Sequence, residues 1–368
     1  MYLLFDPFLK SGNGLLARAR TVIQDNYNFR LNSLNAAILY SVFKNFRIEI
    51  SRHQGIKMYL IRGINNINLF NSRFPNEDIV ATIGNFDGLH LGHQDILEQM
   101  KQTNLKTMVI FTEPHAKEFF AESLGQDSEK PPRIFPWKEK VRALRSFGVN
   151  FGFFLHFNKQ LRSMTPEVFI EEVLSNLNIR RLKIGDDFRF GINREGDFSL
   201  LKDWGDKNNV LVENTNTFKI DDERVSSTRI RQAILRNDFE EAKRLLGKAY
   251  TYSGKVVYGQ QLGRQLGIPT ANIWLPKNKL PISGVYIVKV RLEGKDLGGI
   301  ANMGIRPTVG GQSPVLEVHI LNFSEEIYGK SLEVEFLEKV REEKKFDNLD
   351  LLKEQINNDI SAAKQYFV

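Results

Sequence analysis

The 368-residue chain carries a formal charge of +7, with 42% hydrophobic and 26% charged side chains and 27 Phe. That is the make-up of a soluble globular protein with room for about two domains. Cysteine is absent, which excludes disulfides and thiolate metal centres and points to a reducing, cytoplasmic setting. No apolar run approaches the roughly 18 residues of a membrane span, so no membrane partner is expected.

The basicity sits at the front. Residues 1–57 hold eight Lys/Arg against three acids, whereas the other 311 residues carry only +2, so the charge does not mark a nucleic-acid surface. Gly12-Asn13-Gly14-Leu15-Leu16-Ala17 formally fits the dinucleotide pattern G-x-G-x-x-A. The strand before it is interrupted by Asp6 and Pro7, and no strand-borne acid stands about twenty residues on, so that pattern is set aside. The segment is acid-poor like a targeting peptide but lacks a signal-peptide layout, and Met58 opens a natural start. Residues 1–57 are read as an accessory extension or a start placed too far upstream.

From Met58 onward strands and helices alternate. The apolar pieces Ile79–Ile83, Thr107–Phe111, Phe151–Phe157, Arg181–Ile184 and Val210–Val212 read as strands, with helical spacing between them at Trp137–Phe147 and Pro166–Leu177. This predicts βαβ units and a parallel sheet, whose ligands bind beyond the carboxyl ends of the strands. The turn after Ile83 holds Gly84, Gly88 and Gly92, together with Asp87, His90 and His93, ahead of a helix predicted to start near Gly92 or His93. Glycines let backbone amides approach a ligand, and the first amides of a helix bind anions. Two histidines on a turn are by themselves ordinary; so many such residues together point to phosphate.

Val225-Ser226-Ser227-Thr228-Arg229-Ile230-Arg231 opens a further helix, predicted to run to Gly247. One hydroxyl there would be a plain N-cap, but three hydroxyls with two arginines also make a phosphate cradle. Beyond Tyr250 the texture changes to the strands Tyr252–Tyr258, Gly284–Leu292, Gly299–Met303, Val315–Leu321 and Ser331–Val340, then a helix over Leu349–Tyr366. A small antiparallel barrel is expected, with the domain boundary near residues 247–251. No P-loop pattern occurs, so a phosphate site in the barrel has to come from loop backbone. Alternation puts Leu316, Val318 and Ile320 on one face of their strand and Glu317 and His319 on the other.

His90-Leu91-Gly92-His93 resembles the H-x-G-H signature of nucleotidyltransferases. The run Gly84–His93 resembles G-x-F-D-G-x-H-x-G-H of the bacterial bifunctional riboflavin kinase/FAD synthetase family. Phe111–His115, Gly185–Gly191 and Val225–Arg231 resemble that family's F-x-P-H, G-x-D-F-x-F-G and I-S-S-T/S-x-I-R motifs, and Gly263–Asn272 its kinase signature G-R-x-L-G-x-P-T-A-N. Ala301–Thr308, Tyr328–Lys330 and Arg341–Phe346 add weaker matches. The resemblance spans about residues 58–368.

It implies a doubly wound, Rossmann-like FMN adenylyltransferase domain over 58–248 and a riboflavin kinase barrel over 249–368. The first would hold ATP through Gly84, Phe86, Asp87, Gly88, Gly92, Ser226, Ser227, Thr228 and Arg231, with His90 and His93 catalytic. Flavin would meet Asp187, Phe188 and Phe190 there, and Arg306 and Arg341 in the barrel. The kinase would bind ATP through Gly263, Arg264, Gly267, Pro269, Thr270 and Asn272, with Thr270 and Asn272 on Mg²⁺ and Glu317 as general base. The partners are then riboflavin, FMN and ATP, with transient self-association left open. A phosphopantetheine- or cytidylyl-type transferase gives Pro269–Asn272 and Glu317 no role, and a flavin-binding sensor has no need of a base.

Overall fold

The computed structural model describes residues 58–126, 129–185, 187–259, 263, 266–275, 280–308 and 311–368, with backbone only at 305–308 and 311–313. Residues 1–57, including the Gly12–Ala17 run, and the candidate ligand Arg264 lie outside the described residues, as do the side chain of Arg306 and Asp186.

Strands β1 (Tyr59–Arg62), β2 (Ile79–Ile83), β3 (Lys106–Glu113), β4 (Phe151–His156), β5 (Ile179–Gly185) and β6 (Leu211–Thr215) form one parallel sheet in the order β1-β4-β3-β2-β5-β6. The central strands β2, β3 and β4 are near-continuous apolar runs because both faces are covered, whereas β5 and β6 carry Arg, Lys and Glu towards the sheet edge. On one face Ala81, Ile110, Phe153 and Leu182 pack under helix α1 (Ile67–Arg73), the turns Phe169–Leu177 and Leu201 of a later helix. On the other, Val80 and Val109 meet Leu97 and Met100 of α2 (Leu91–Lys101) and Leu144 of Trp137–Ser146. From β2 the chain moves outward through β3 to β4, then returns to lay β5 on the opposite side of β2. The crevice at such a reversal is where these sheets bind ligands. The loops following β2 and β5 both open there.

Several elements differ from the sequence reading, two of them ahead of the expected barrel. Tyr59–Arg62, read only as a chain start, is the edge strand paired with β4. The single helix expected from Ser227 to Gly247 is two, α3 (Ser227–Leu235) and α4 (Phe239–Leu246). Asn237 takes a left-handed φ of 60°, and the Asp238 carboxylate accepts from the Glu241 amide at 3.0 Å to start the second helix. Asn tolerates that conformation and Asp is a strong N-cap, so a helix ends and another begins within three residues.

Strands β9 (Thr251–Val257), β10 (Ala271–Trp274), β11 (Gly284–Leu292), β12 (Lys295–Thr308), β13 (Gly311–Ile320) and β14 (Ser331–Arg341) follow a small hairpin, β7 (Lys219–Ile220) and β8 (Glu223–Arg224). They close as β10-β13-β12-β11-β14-β9. Its inward residues, among them Ile273, Val288, Leu316, Val318 and Phe336, share one core with Ile234 and Phe239 of the helix pair and with Ile134 and Phe135. Helix α5 (Leu349–Tyr366) packs Ala363 against the barrel's outer face.

Candidate active sites

The first site is the loop between β2 and α2. Gly88 has φ of 87°, while Gly92 lies within the helix and Gly84 has no left-handed φ. The left-handed turns fall instead on Phe86 (φ 48°) and Leu89 (φ 45°), both buried. Such strain in bulky residues persists only where packing over-determines it, and it clusters at binding sites. Gly92 matters for space: a Cβ there would sit 3.3 Å from His90 Nδ1.

His90 is the N-cap of α2, and its Nδ1 accepts from the His93 amide at 3.3 Å. A neutral His90 therefore carries its proton on Nε2, which is left to donate. The His93 ring lies between His90 (centroids 3.6 Å, 19°) and Phe86 (4.5 Å, 27°), and His93 Nδ1 is buried without a partner. Burial pushes His90 down to about 4, with Asp87 opposing and Arg224 and Arg231 reinforcing. Burial, then the His90 ring and Lys140, hold His93 well below the usual imidazole range. Both rings are therefore neutral near pH 7. His115, which caps the helix Ala116–Ser123, is likewise pushed down by burial to about 4, against Glu118 and Asp87.

These depressed histidines set an acid limit on stability. Unfolded imidazoles near 6.5 take up protons that the folded chain refuses until about pH 4. Stability is expected to be complete above about pH 6.5 and to fall steadily towards pH 4. Melting temperatures read across that range should show the decline, and His115→Gln should make it shallower.

Asp87 acts as a clamp. Its carboxylate accepts from the Ile134 amide (3.2 Å), the Phe135 amide (3.1 Å) and Arg231 Nη2 (2.8 Å), while its carbonyl accepts from Ser227 Oγ (2.9 Å). Arg231 Nε also donates to the Pro132 carbonyl at 2.8 Å. The ion pair thus ties the glycine-rich loop to α3, and both members are more than four-fifths buried. Ser226 caps α3 by accepting from the Arg229 amide at 3.2 Å, and Thr228 is exposed beside it. Arg229 is tied to Glu241 at 2.7 Å. Arg231→Met is expected to cost roughly 3 kcal/mol, because it leaves a buried carboxylate short of a cation. A lowered chemical-unfolding midpoint would show it.

Two cations here escaped the sequence reading. Lys140 is buried, lies 3.6 Å from Glu113, and is pushed down by burial against that carboxylate. Arg224 pairs with Asp187 at 3.0 Å and is felt by both site histidines. Neither sits in a phosphate-binding pattern, so only the fold brings them in.

The second site is on the barrel's outer face. Glu317 lies directly across from Asn272 on β10 and from Asn302 on β12, which places the three side chains in one row. Both flanking amides have a buried Oδ1 without a partner. A cleft of about 570 Å³ lies over the row, walled by Thr270, Arg341, Phe346 and α5. A second of about 250 Å³ lies towards Tyr328, and Thr270 and Asn272 line both. His319 Nδ1 donates to the Pro269 carbonyl at 2.9 Å and so holds the loop before β10. Gly259 gives close approach, since a Cβ there would fall 2.5 Å from the Asn272 amide. Gly263 and Gly267 lie in the same loop, and the Ile268 amide donates to the Gly263 carbonyl at 2.7 Å.

The FAD synthetase family model matches residues 73–229, and the riboflavin kinase model matches residues 246–367. A bifunctional riboflavin kinase/FMN adenylyltransferase of Haemophilus influenzae is 42% identical, aligned over 84% of this chain and 99% of that protein. The chain belongs to this bifunctional family. The protein of the same description from Escherichia coli is 41% identical over 84% of this chain and 98% of its own. A solved structure described as a macrolide-efflux protein from Streptococcus pneumoniae superposes with a TM-score of 0.64 at 29% identity, covering 83% of this chain and 98% of that one. Among the described residues no helix is long and apolar enough to cross a membrane.

Within the family frame, the candidate flavin ligands fall in different settings. Asp187 is exposed, and Phe188 stacks on the buried Phe190 with centroids 5.6 Å apart, on the loop after β5. Arg341 forms a forked pair with Asp359 (2.7–3.0 Å), which fastens the end of β14 to α5. It shapes the wall of the large cleft through that pairing.

Proposed function

We infer that the chain carries both activities of its family. It phosphorylates riboflavin to FMN with one ATP and adenylylates FMN to FAD with a second, releasing pyrophosphate. The observation that carries this reading is the Asn272–Glu317–Asn302 row along the larger cleft, whose Asn272 end also lines the smaller one. Riboflavin takes the larger cleft and ATP the smaller. Glu317 accepts the proton of the 5′-hydroxyl as that oxygen attacks the γ-phosphorus and ADP leaves.

Thr270 and the unpartnered Asn272 Oδ1 are hard, neutral oxygen donors, a set that suits Mg²⁺ carried by nucleotide phosphates. The ion would neutralise phosphate charge. The chain's own contribution there is to hold these two oxygens still through Gly259 and the His319–Pro269 contact.

In the adenylyltransferase domain, taken as residues 58–248, an FMN phosphate oxygen attacks the α-phosphorus. It is already ionised and requires no base. His90 Nε2, His93, the first amides of α3 and the cationic Arg224 meet the charge that builds on the leaving pyrophosphate. The barrel over 249–368 supplies the kinase, and the absence of cysteine fits a cytoplasmic setting.

Purified protein given riboflavin, ATP and Mg²⁺, with flavins resolved by chromatography, is expected to show FMN and then FAD. Unchanged riboflavin would remove the kinase assignment, and FMN that never becomes FAD would remove the other. Every motif lies beyond residue 57, so a chain begun at Met58 should remain soluble and keep both activities.

A further inference from the structure

The two asparagines flanking Glu317 are not equivalent. Asn272 lines both clefts, whereas Asn302 lines only the larger one. Asn302 hydrogen-bonds the Glu343 carboxylate, and a carboxylate only accepts, so the asparagine Nδ2 donates. Gly304 makes room for that contact: a Cβ there would lie 2.1 Å from Glu343 Oε1 and 3.5 Å from Asn302 Nδ2. With the amide nitrogen committed, the orientation of the group is fixed. Its Oδ1 is the remaining end, buried and unpartnered, beside Glu317.

An orphaned carbonyl oxygen in a binding cleft is a demand for a donor. Glu317 cannot meet it, because an ionised carboxylate has no proton to give. A substrate whose reacting hydroxyl faces Glu317 brings a second donor to the neighbouring position only if the next carbon also bears a hydroxyl. We infer that Asn302, held by Glu343, accepts a hydrogen bond from the hydroxyl adjacent to the one phosphorylated, and thereby selects a polyol-bearing substrate. Asn302 is then a specificity residue and Glu343 its positioning residue. This rests on the kinase reading of the cleft.

The test compares riboflavin with its 4′-deoxy analogue, both with ATP and Mg²⁺, in the full-length protein. The wild type is expected to use the analogue with a kcat/KM about 10- to 100-fold lower, because the analogue leaves a buried acceptor unmet. In Asn302→Leu that ratio should collapse to near one, since nothing is left to read the missing hydroxyl. Conversion of FMN to FAD reports that the variant is folded, and Asn302→Ala gives the same comparison if the leucine is not tolerated. Glu343→Ala should lose part of the discrimination, through KM more than kcat.

A merely structural Asn302 would lower both substrates equally and keep the ratio, which overturns the inference. A wild type indifferent to the 4′-hydroxyl also overturns it. A wild type that makes no FMN from riboflavin overturns the kinase reading itself, a separate result.

Discussion

His93→Ala is expected to lower kcat for FAD synthesis about 100-fold or more, the scale on which preorganised charge donors act, while weakening ATP binding far less. The geometry explains why. The ring is packed between Phe86 and His90 with no hydrogen-bond partner at Nδ1, and burial keeps it neutral in the free protein. A neutral donor gains little from ATP in its ground state. It gains more as negative charge accumulates towards pyrophosphate, because that charge favours a fuller share of the proton. Formation of FMN from riboflavin is the internal control and should be unchanged. Steady-state kinetics on both reactions decide it: if His93 only filled space between Phe86 and His90, substitution would lower stability and leave FAD synthesis by the folded protein intact.

Some of this was legible in the sequence because local periodicity is set by local physics. Ile79–Ile83, Gly284–Leu292 and Leu349–Tyr366 are each long or regular enough that one face or one run is plainly apolar, and the structure has them at those bounds. β1 has four residues on a sheet edge, and β10 has four that begin inside Pro269-Thr270-Ala271-Asn272, which reads as a turn. Neither carries enough period to be seen. β10 nevertheless places Asn272 opposite Glu317, so its omission hid the row that organises the second site.

Polar pairing over long separations was the other blind spot. Asp87 in a glycine-rich turn looks like a ligand residue, yet its partners stand at Ile134, Phe135 and Arg231. Arg341 stands in a motif of the flavin site, and the partner that holds its guanidinium is Asp359, eighteen residues on. In both cases the sequence shows the residue type and not its partner, since nothing local to a charged side chain says which distant group the fold will bring. The same limit explains Lys140 and Arg224, cations whose nearness to the histidines depends on how β3, β8 and the helix at Trp137–Ser146 meet.

Glu317→Gln should have the opposite signature to the histidine variant: FMN formation falls roughly 100- to 10,000-fold, the usual cost of losing a general base, and conversion of FMN to FAD stays nearly intact. Glutamine has the size and hydrogen-bonding reach to remain in the row between Asn272 and Asn302, so the cleft should keep its shape. Riboflavin binding, followed by quenching of flavin fluorescence, is therefore expected to change little while turnover collapses. A loss confined to KM would make Glu317 a binding residue and leave the hydroxyl to be deprotonated elsewhere. A fall in both activities together would be more serious. Glu317 lines the larger cleft on the barrel, while the histidines stand at the crevice between β2 and β5, so one substitution has no chemical route to both. Joint loss would mean that the barrel's integrity, through the core it shares with Ile134 and Phe135, supports the adenylyltransferase loop held by Asp87.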